Sequence, residues 1–230
     1  MTSIGSSNLQ QSKEDVFSPA TFMAILDFKL TNKDVASILE SMPNLNTESM
    51  ITTISARRVG GMLSVTIAPQ FLRLGSAEGT DVFLANLRYD KTENGAIQFV
   101  SQEPKQDIHK LKKTYEWLVD TIDKLGLSGR VLFYEFDFTI IREFVGAGSI
   151  NSGLKLRTLN NPRNFGIRLY DGDMKSPNIM LSRWKQITIE PYVADARKSV
   201  INGVYRVPPE ERLVVDDILY DIDSILKNFA

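Results

Sequence analysis

The chain has 230 residues, 43% of them hydrophobic and 24% charged, with no cysteine and a formal net charge of −1. That length buries a full core without disulfides or a structural metal. The absence of cysteine excludes disulfide frameworks, thiolate metal sites, iron–sulfur clusters and cysteine nucleophiles, and a single histidine, His109, removes most of the remaining imidazole chemistry, from multi-histidine metal sites to HExxH helices.

No stretch approaches the roughly 20 apolar residues that span a bilayer, and MTSIGSSNLQQSKED has neither a basic start nor an apolar h-region. The expectation is a cytoplasmic protein with no membrane partner. Residues 1–17 are rich in Ser, Gln and Asn and read as a flexible tail; residues 18–230 read as one compact domain.

Phe22, Ala24, Leu26, Phe28 and Leu30 alternate as one face of a strand. Thr31-Asn32 then offers an N-cap to a short amphipathic helix carrying Val35, Ile38, Leu39 and Met42, which Pro43-Asn44 ends. Strands are expected near 50–58, 62–68, 81–90 and 96–101, with turns at Gly60-Gly61, across Gly75 to Gly79 and at Asn94-Gly95. Ile108, Leu111, Tyr115, Leu118, Val119, Ile122 and Leu125 recur at helical spacing and predict a long helix over 106–125, stopped by Gly126.

VLFYEFDFTIIREF follows as a long strand, apolar at Leu132, Tyr134, Phe136, Phe138 and Ile140, polar at Glu135, Asp137, Thr139 and Glu143. Further strands are expected at 154–159, 164–170, 179–193 and 199–207. Pro208-Pro209 opens a last helix over 209–229, whose Asp216, Asp217, Asp221 and Asp223 read as a solvated acidic face. The fold class is therefore α+β, mainly antiparallel sheet with two long helices packed on one face. The order also reads as two similar β-α-β(n)-α halves, 18–127 and 128–230.

In topology alone, this order resembles the two-repeat saddle of the TATA-box-binding protein, with IDKLGLSGRVLFYEFDF where a helix leads into the second repeat. That family's intercalating phenylalanine pairs have no assigned positions here, and no functional residue is carried over. A helix-grip fold, a curved antiparallel sheet wrapped on a long helix around a ligand cavity, matches the same order.

Charge is polarised along the chain: residues 142–206 hold eleven Lys/Arg against five Asp/Glu, and residues 207–230 hold two against six. Alternation predicts a basic strand surface of Lys155, Arg157, Arg168, Tyr170, Arg183 and Lys185, with Trp184 pointing the other way, able to contact phosphates or a ligand. The competing reading has Glu135, Asp137 and Glu143 neutralise these cations by cross-strand pairing. GAGSINSG has the wrong spacing for a phosphate loop, and Asp171-Gly172-Asp173 lacks the further ligands of a calcium loop. No cofactor, metal site or catalytic residue is assigned.

The expected function is a non-enzymatic binding or protein-interaction protein, taking a protein or small ligand on a sheet face or in a cavity between sheet and helix. The alternative is nucleic-acid binding through the basic strands. A third reading makes Glu135 or Asp137 the working carboxylate of a cofactor-free enzyme. Homo-oligomerisation is a further reading, because edge strands need covering.

Overall fold

The computed structural model describes residues 16–42, 49–59, 62–77, 80–89, 92–101, 108–143, 166–172, 183–192, 194–195 and 198–229. Of the expected tail over 1–17, residues 1–15 lie outside these residues, as does the strand at 154–159, whereas Val16 and Phe17 belong to β1, where they pair with Ile141 and Ile140 of β6. The elements in chain order are β1 (Val16–Leu26), α1 (Asn32–Ser41), β2 (Ser49–Val59), β3 (Met62–Ala77), β4 (Thr80–Tyr89), β5 (Thr92–Ser101), α2 (Ile108–Lys124), a single 3-10 turn, β6 (Val131–Glu143), β7 (Ile167–Gly172), β8 (Trp184–Pro191), β9 (Lys198–Val207) and α3 (Val215–Phe229). The strands form one nine-stranded sheet in the order β2-β3-β4-β5-β1-β6-β9-β8-β7. Every pairing is antiparallel, so the chain is an α+β protein built on an antiparallel sheet.

Strand alternation divides the buried side chains between two faces. Phe22 and Leu26 of β1, Phe99 of β5, Phe136 and Ile140 of β6, Ile187 of β8 and Ile201 and Tyr205 of β9 join Ile38 of α1, Leu118 of α2 and Ile222 of α3 in one core. All three helices therefore contribute to the same face. At its centre the register partners Phe22 and Phe136 stack with ring centroids 4.3 Å apart, and Tyr115 of α2 tilts onto Phe22 at 5.5 Å. The opposite face holds a smaller cluster of Met23, Ile25, Ala85, Ala96 and Phe133.

α1 starts where its sequence directs. The Thr31 hydroxyl accepts the Asp34 N–H, and the Asp34 carboxylate accepts the Thr31 N–H at 2.8 Å, closing a reciprocal capping box. The hydrogen bond from the Thr31 side chain is the main reason that the Asp34 pKa is lowered. A Thr31→Ala substitution should cost about 1 kcal/mol, read as a lower urea midpoint with an unchanged slope.

Several boundaries differ from the sequence reading; β7 runs through Asp171 and Gly172, where a break was expected, and β8 ends at Pro191 rather than 193. β1 runs from Val16 to Leu26 rather than on to Leu30, because beyond it the Asn86 side chain of β4 accepts the Leu30 N–H at 2.8 Å and donates to the Leu30 carbonyl at 3.2 Å. These bonds replace a strand ladder. Asn94-Gly95 is not the hairpin turn: β4 and β5 close on Tyr89↔Thr92, so the connection is residues 90–91. Gly95 is instead required by close approach. Its N–H donates to Phe28 O at 2.6 Å, and a Cβ there would meet Leu30 Cγ at 2.7 Å. Asn94 is buried and donates to Leu26 O at 2.8 Å.

Gly75 lies within β3, beside a register shift between Arg73 and Gly75, so it marks a bulge and not a turn. α3 begins at Val215, six residues after the expected position. The preceding stretch is held in another shape: the Glu211 N–H donates to Pro208 O at 3.0 Å, and the Leu213 N–H donates to the Tyr115 hydroxyl at 3.2 Å.

Candidate functional site

The register of β7, β8 and β9 decides where the predicted basic residues point. Asp171 pairs with Lys185 and Lys185 with Tyr205, so these three share the helix-bearing face with Leu169 and Ile187. Tyr170 pairs with Gln186 and Arg168 with Thr188, which puts them on the helix-free face with Trp184. There the Tyr170 and Trp184 rings approach to 5.4 Å. The Arg168 guanidinium donates to the Tyr170 hydroxyl at 3.4 Å, which raises the Arg168 pKa.

The predicted surface is therefore split. Arg168 and Tyr170 stand on one face, and Lys185 stands on the other. Arg183, just ahead of β8, turns to the segment before α3, where its Nε donates to Glu211 at 3.0 Å. Lys185 Nζ meets Asp221 of α3 at 2.6 Å and lies 5.6 Å from the Tyr205 ring centroid. Lys155 and Arg157 lie outside the described residues. Neutralisation of Arg183 and Lys185 thus comes from α3 and its approach rather than from β6.

The acidic residues of α3 are also not simply a solvated face. Asp216 pairs with Lys112 of α2 at 2.6 Å, Asp221 with Lys185 of β8, and Asp223 with Arg142 of β6. Three carboxylates within two turns thus tie α3 to a helix and two strands. The first of these pairs is largely exposed and contributes little to stability; its consequence is the placement of α3 over the sheet.

Between α3 and β7–β9 lies a groove of about 230 Å³, with Asp171, Lys185, Ile187, Tyr205, Asp221 and Ser224 among its walls. Tyr205 is 3% exposed, and its hydroxyl lies against the Asp221 carboxylate without closing a well-aligned hydrogen bond. Burial raises its pKa, and the Asp221 carboxylate raises it further by its charge and as a hydrogen-bond acceptor, with Asp171 adding to the effect. A second hollow of about 90 Å³ shares Lys185, Tyr205 and Asp221 with the groove and is also walled by Arg183, Arg206, Arg212, Leu213 and Asp217. The Lys185–Asp221 pair stands between the two compartments.

Tyr205, Asp171 and Asp221 escaped the sequence reading of this site. The signal available was the core-facing tyrosine at the end of the Ile201, Gly203, Tyr205 alternation: a polar-tipped side chain on an apolar stripe needs a partner.

The helix-free face has a different centre. Glu135 is buried and is held by Arg206, whose Nε donates to Glu135 Oε2 at 2.8 Å and whose guanidinium lies 4.1 Å from the Phe133 ring centroid. Asp137, two residues along the same strand, keeps an Oδ1 that is buried without a hydrogen-bond partner. Burial, reinforced by the neighbouring Glu135 charge and opposed by Arg206, lifts the Asp137 pKa to about 7. The two carboxylates thus share a face, as their spacing predicts, and only Glu135 is ion-paired. His109 is exposed on α2.

No helix among the described residues is long and apolar enough to cross a membrane. Comparison with known protein families, with curated proteins and with solved structures gives no match.

Proposed function

We propose that the protein is a non-enzymatic binding protein whose groove between α3 and β7–β9 receives a small ligand. The observation that carries this reading is the groove itself, whose walls set Tyr205, Asp171, Lys185 and Asp221 among the apolar side chains Leu169, Ile187 and Ile225. Apolar walls with a few convergent polar groups are the usual composition of a ligand site. The paired carboxylates Glu135 and Asp137 lie on the opposite face of the sheet, away from this groove, which weighs against an acid–base enzyme built on them.

The nucleic-acid reading loses its motivating platform, because Arg183 and Lys185 are committed to Glu211 and Asp221 and face the helices rather than joining Arg168. The division into two similar halves, 18–127 and 128–230, remains part of our proposal. It is supported by the strand order, in which β1 and β6 are neighbours at the middle and β5 and β9 flank them, each followed by a helix.

Native mass spectrometry of gently purified protein tests the groove. A discrete extra mass is expected on the wild-type chain. A Ser224→Trp substitution, which fills the groove from α3 without entering the core, should abolish that mass. Persistence of the mass in the Trp variant, or a wild-type chain that is bare under all gentle conditions, counts against the proposal.

A further inference from the structure

We propose that the outer edge of β2 is an interface with a second copy of this chain: two β2 strands pair antiparallel about a two-fold axis centred on Ile54 and join two sheets into one. β2 is an end strand of the sheet and pairs with β3 alone among the described residues. Along its other side the backbone N–H and C=O groups meet no described strand over eleven residues, a ladder of about 36 Å.

The two ends of the sheet are built differently. β7, the other end strand, has six residues, carries Arg168 and Asp171 and finishes on Gly172. Shortness and charge are the ordinary means of discouraging edge pairing. β2 has neither over most of its length: Ser49–Ala56 holds no charged residue, no proline and no glycine, and its middle, Ile51 to Ile54, is entirely β-branched. The two charges of the strand, Arg57 and Arg58, stand together at its C-terminal end.

A second observation calls for a further strand. β4 meets β3 only from Phe71 to Ala77. Met62–Pro69 of β3 pairs with Thr52–Val59 of β2 and with no other strand among the described residues, so this half of the hairpin leaves β4 and runs on as a two-stranded ribbon. Two strands alone are marginal in water, and three or more are needed for independent stability. Pairing β2 with its own copy supplies them: in the order β3-β2-β2-β3 the two ribbons lie side by side and each becomes part of a four-stranded sheet.

Symmetry and overlap fix the register. A two-fold axis normal to the sheet keeps each face continuous across the junction, since residues directly opposite share a face. Centred on Ile54, the midpoint of Ser49–Val59, it pairs all eleven residues. Thr53 then stands opposite Ser55 of the partner subunit, a favourable cross-strand combination. Met50 and Ile51 stand opposite Arg58 of the partner subunit and Arg57 of the partner subunit, so no like charges face one another. A chain of net charge −1 also meets no strong long-range repulsion from its copy. The groove lies at the other end of the sheet, and the two readings stand or fall separately.

The test is sedimentation velocity of the full chain over a concentration series. The wild type is expected to pass from monomer to dimer as concentration rises. Thr53→Lys combined with Ser55→Lys sets like charges opposite one another at both symmetry-related positions and should weaken the dimer by about tenfold. Thr53→Glu combined with Ser55→Lys sets opposite charges there and should return the affinity to the wild-type value or above it. Within the hairpin these positions pair with Ala68 and Thr66 of β3, so the introduced groups meet no charged residue across the strand pair. A wild-type chain that stays monomeric at every concentration, a dimer that the like-charged variant leaves unchanged, or a charge-matched variant as weak as the like-charged one would overturn the proposal.

Discussion

The stability difference between an Asp137→Asn variant and the wild type is expected to move in the variant's favour by about 4 kcal/mol between pH 4 and pH 8. Asp137 sits mid-strand in β6, opposite Thr21 of β1 and Val204 of β9, with a buried Oδ1 that lacks a hydrogen-bond partner. Its ionised form is penalised first by burial and then by the Glu135 charge; Arg206 relieves part of this, and the net result is a folded pKa of about 7 against an ordinary value of 3.8.

The sign follows from proton uptake. Below the lower value, both folded and unfolded chains hold the proton and Asp137 adds no pH dependence. Between the two values the unfolded chain releases its proton while the folded chain retains it, so stability declines as pH rises. Above about 7 both are ionised and the loss is complete. Asparagine cannot ionise, so its variant lacks this decline, and any constant cost of the amide cancels in the comparison. Urea unfolding of both chains across this range reads the difference directly. A difference that stays flat with pH would show that Asp137 ionises normally in the folded protein.

The second large effect is steric. Gly203 of β9 pairs with Phe138 of β6, and a Cβ built on that glycine would overlap the Phe138 ring itself. The ring has little freedom to yield, since it is 3% exposed and packed between Phe136 at 5.1 Å and Tyr205 at 5.9 Å. Gly203→Ala should cost about 3 kcal/mol, the upper end of ordinary overpacking. Shortening the obstructing ring should recover part of that loss, so Phe138→Leu combined with Gly203→Ala should be less destabilised than the sum of the single variants. Strict additivity in denaturant titrations would mean that the two positions are not in conflict. Because Tyr205 packs on the same ring, the single variant should also disturb the groove, and loss of the retained mass would accompany loss of stability.

Much of the architecture was legible because it is local. The 3.6-residue stripe from Ile108 to Ile122 and the alternation from Leu132 to Ile140 each bury a face whatever their partners are, and the capping box at Thr31 and Asp34 satisfies backbone groups within three residues. The glycine misread for a long-range reason is Gly95, which answers to Phe28 and Leu30; a turn signal in sequence cannot be told from a close approach arranged by another strand.

The candidate site depended on register. Each strand's alternation correctly separates its own two faces, but it does not say which face of one strand aligns with which face of the next. A one-residue shift exchanges them. Grouping Lys185 with Arg168 and Tyr170 required the wrong parity between β7 and β8, whereas the observed pairing Asp171↔Lys185 turns Lys185 toward α3. The ion pairs of Asp221, Asp223 and Glu211 likewise join residues 28 to 81 positions apart.

The sequence by itself determined the α+β class, the helical and strand periods and the exclusion of cysteine chemistry, since composition and local periodicity are properties of the chain alone. Only the tertiary structure decided that α3 lies over β7–β9, that Asp221 of α3 and Glu211 ahead of it pair with Lys185 and Arg183, and that the Tyr205 hydroxyl is buried against Asp221 beside a groove. These depend on contacts among distant segments, which are selected by the packing of the whole sheet.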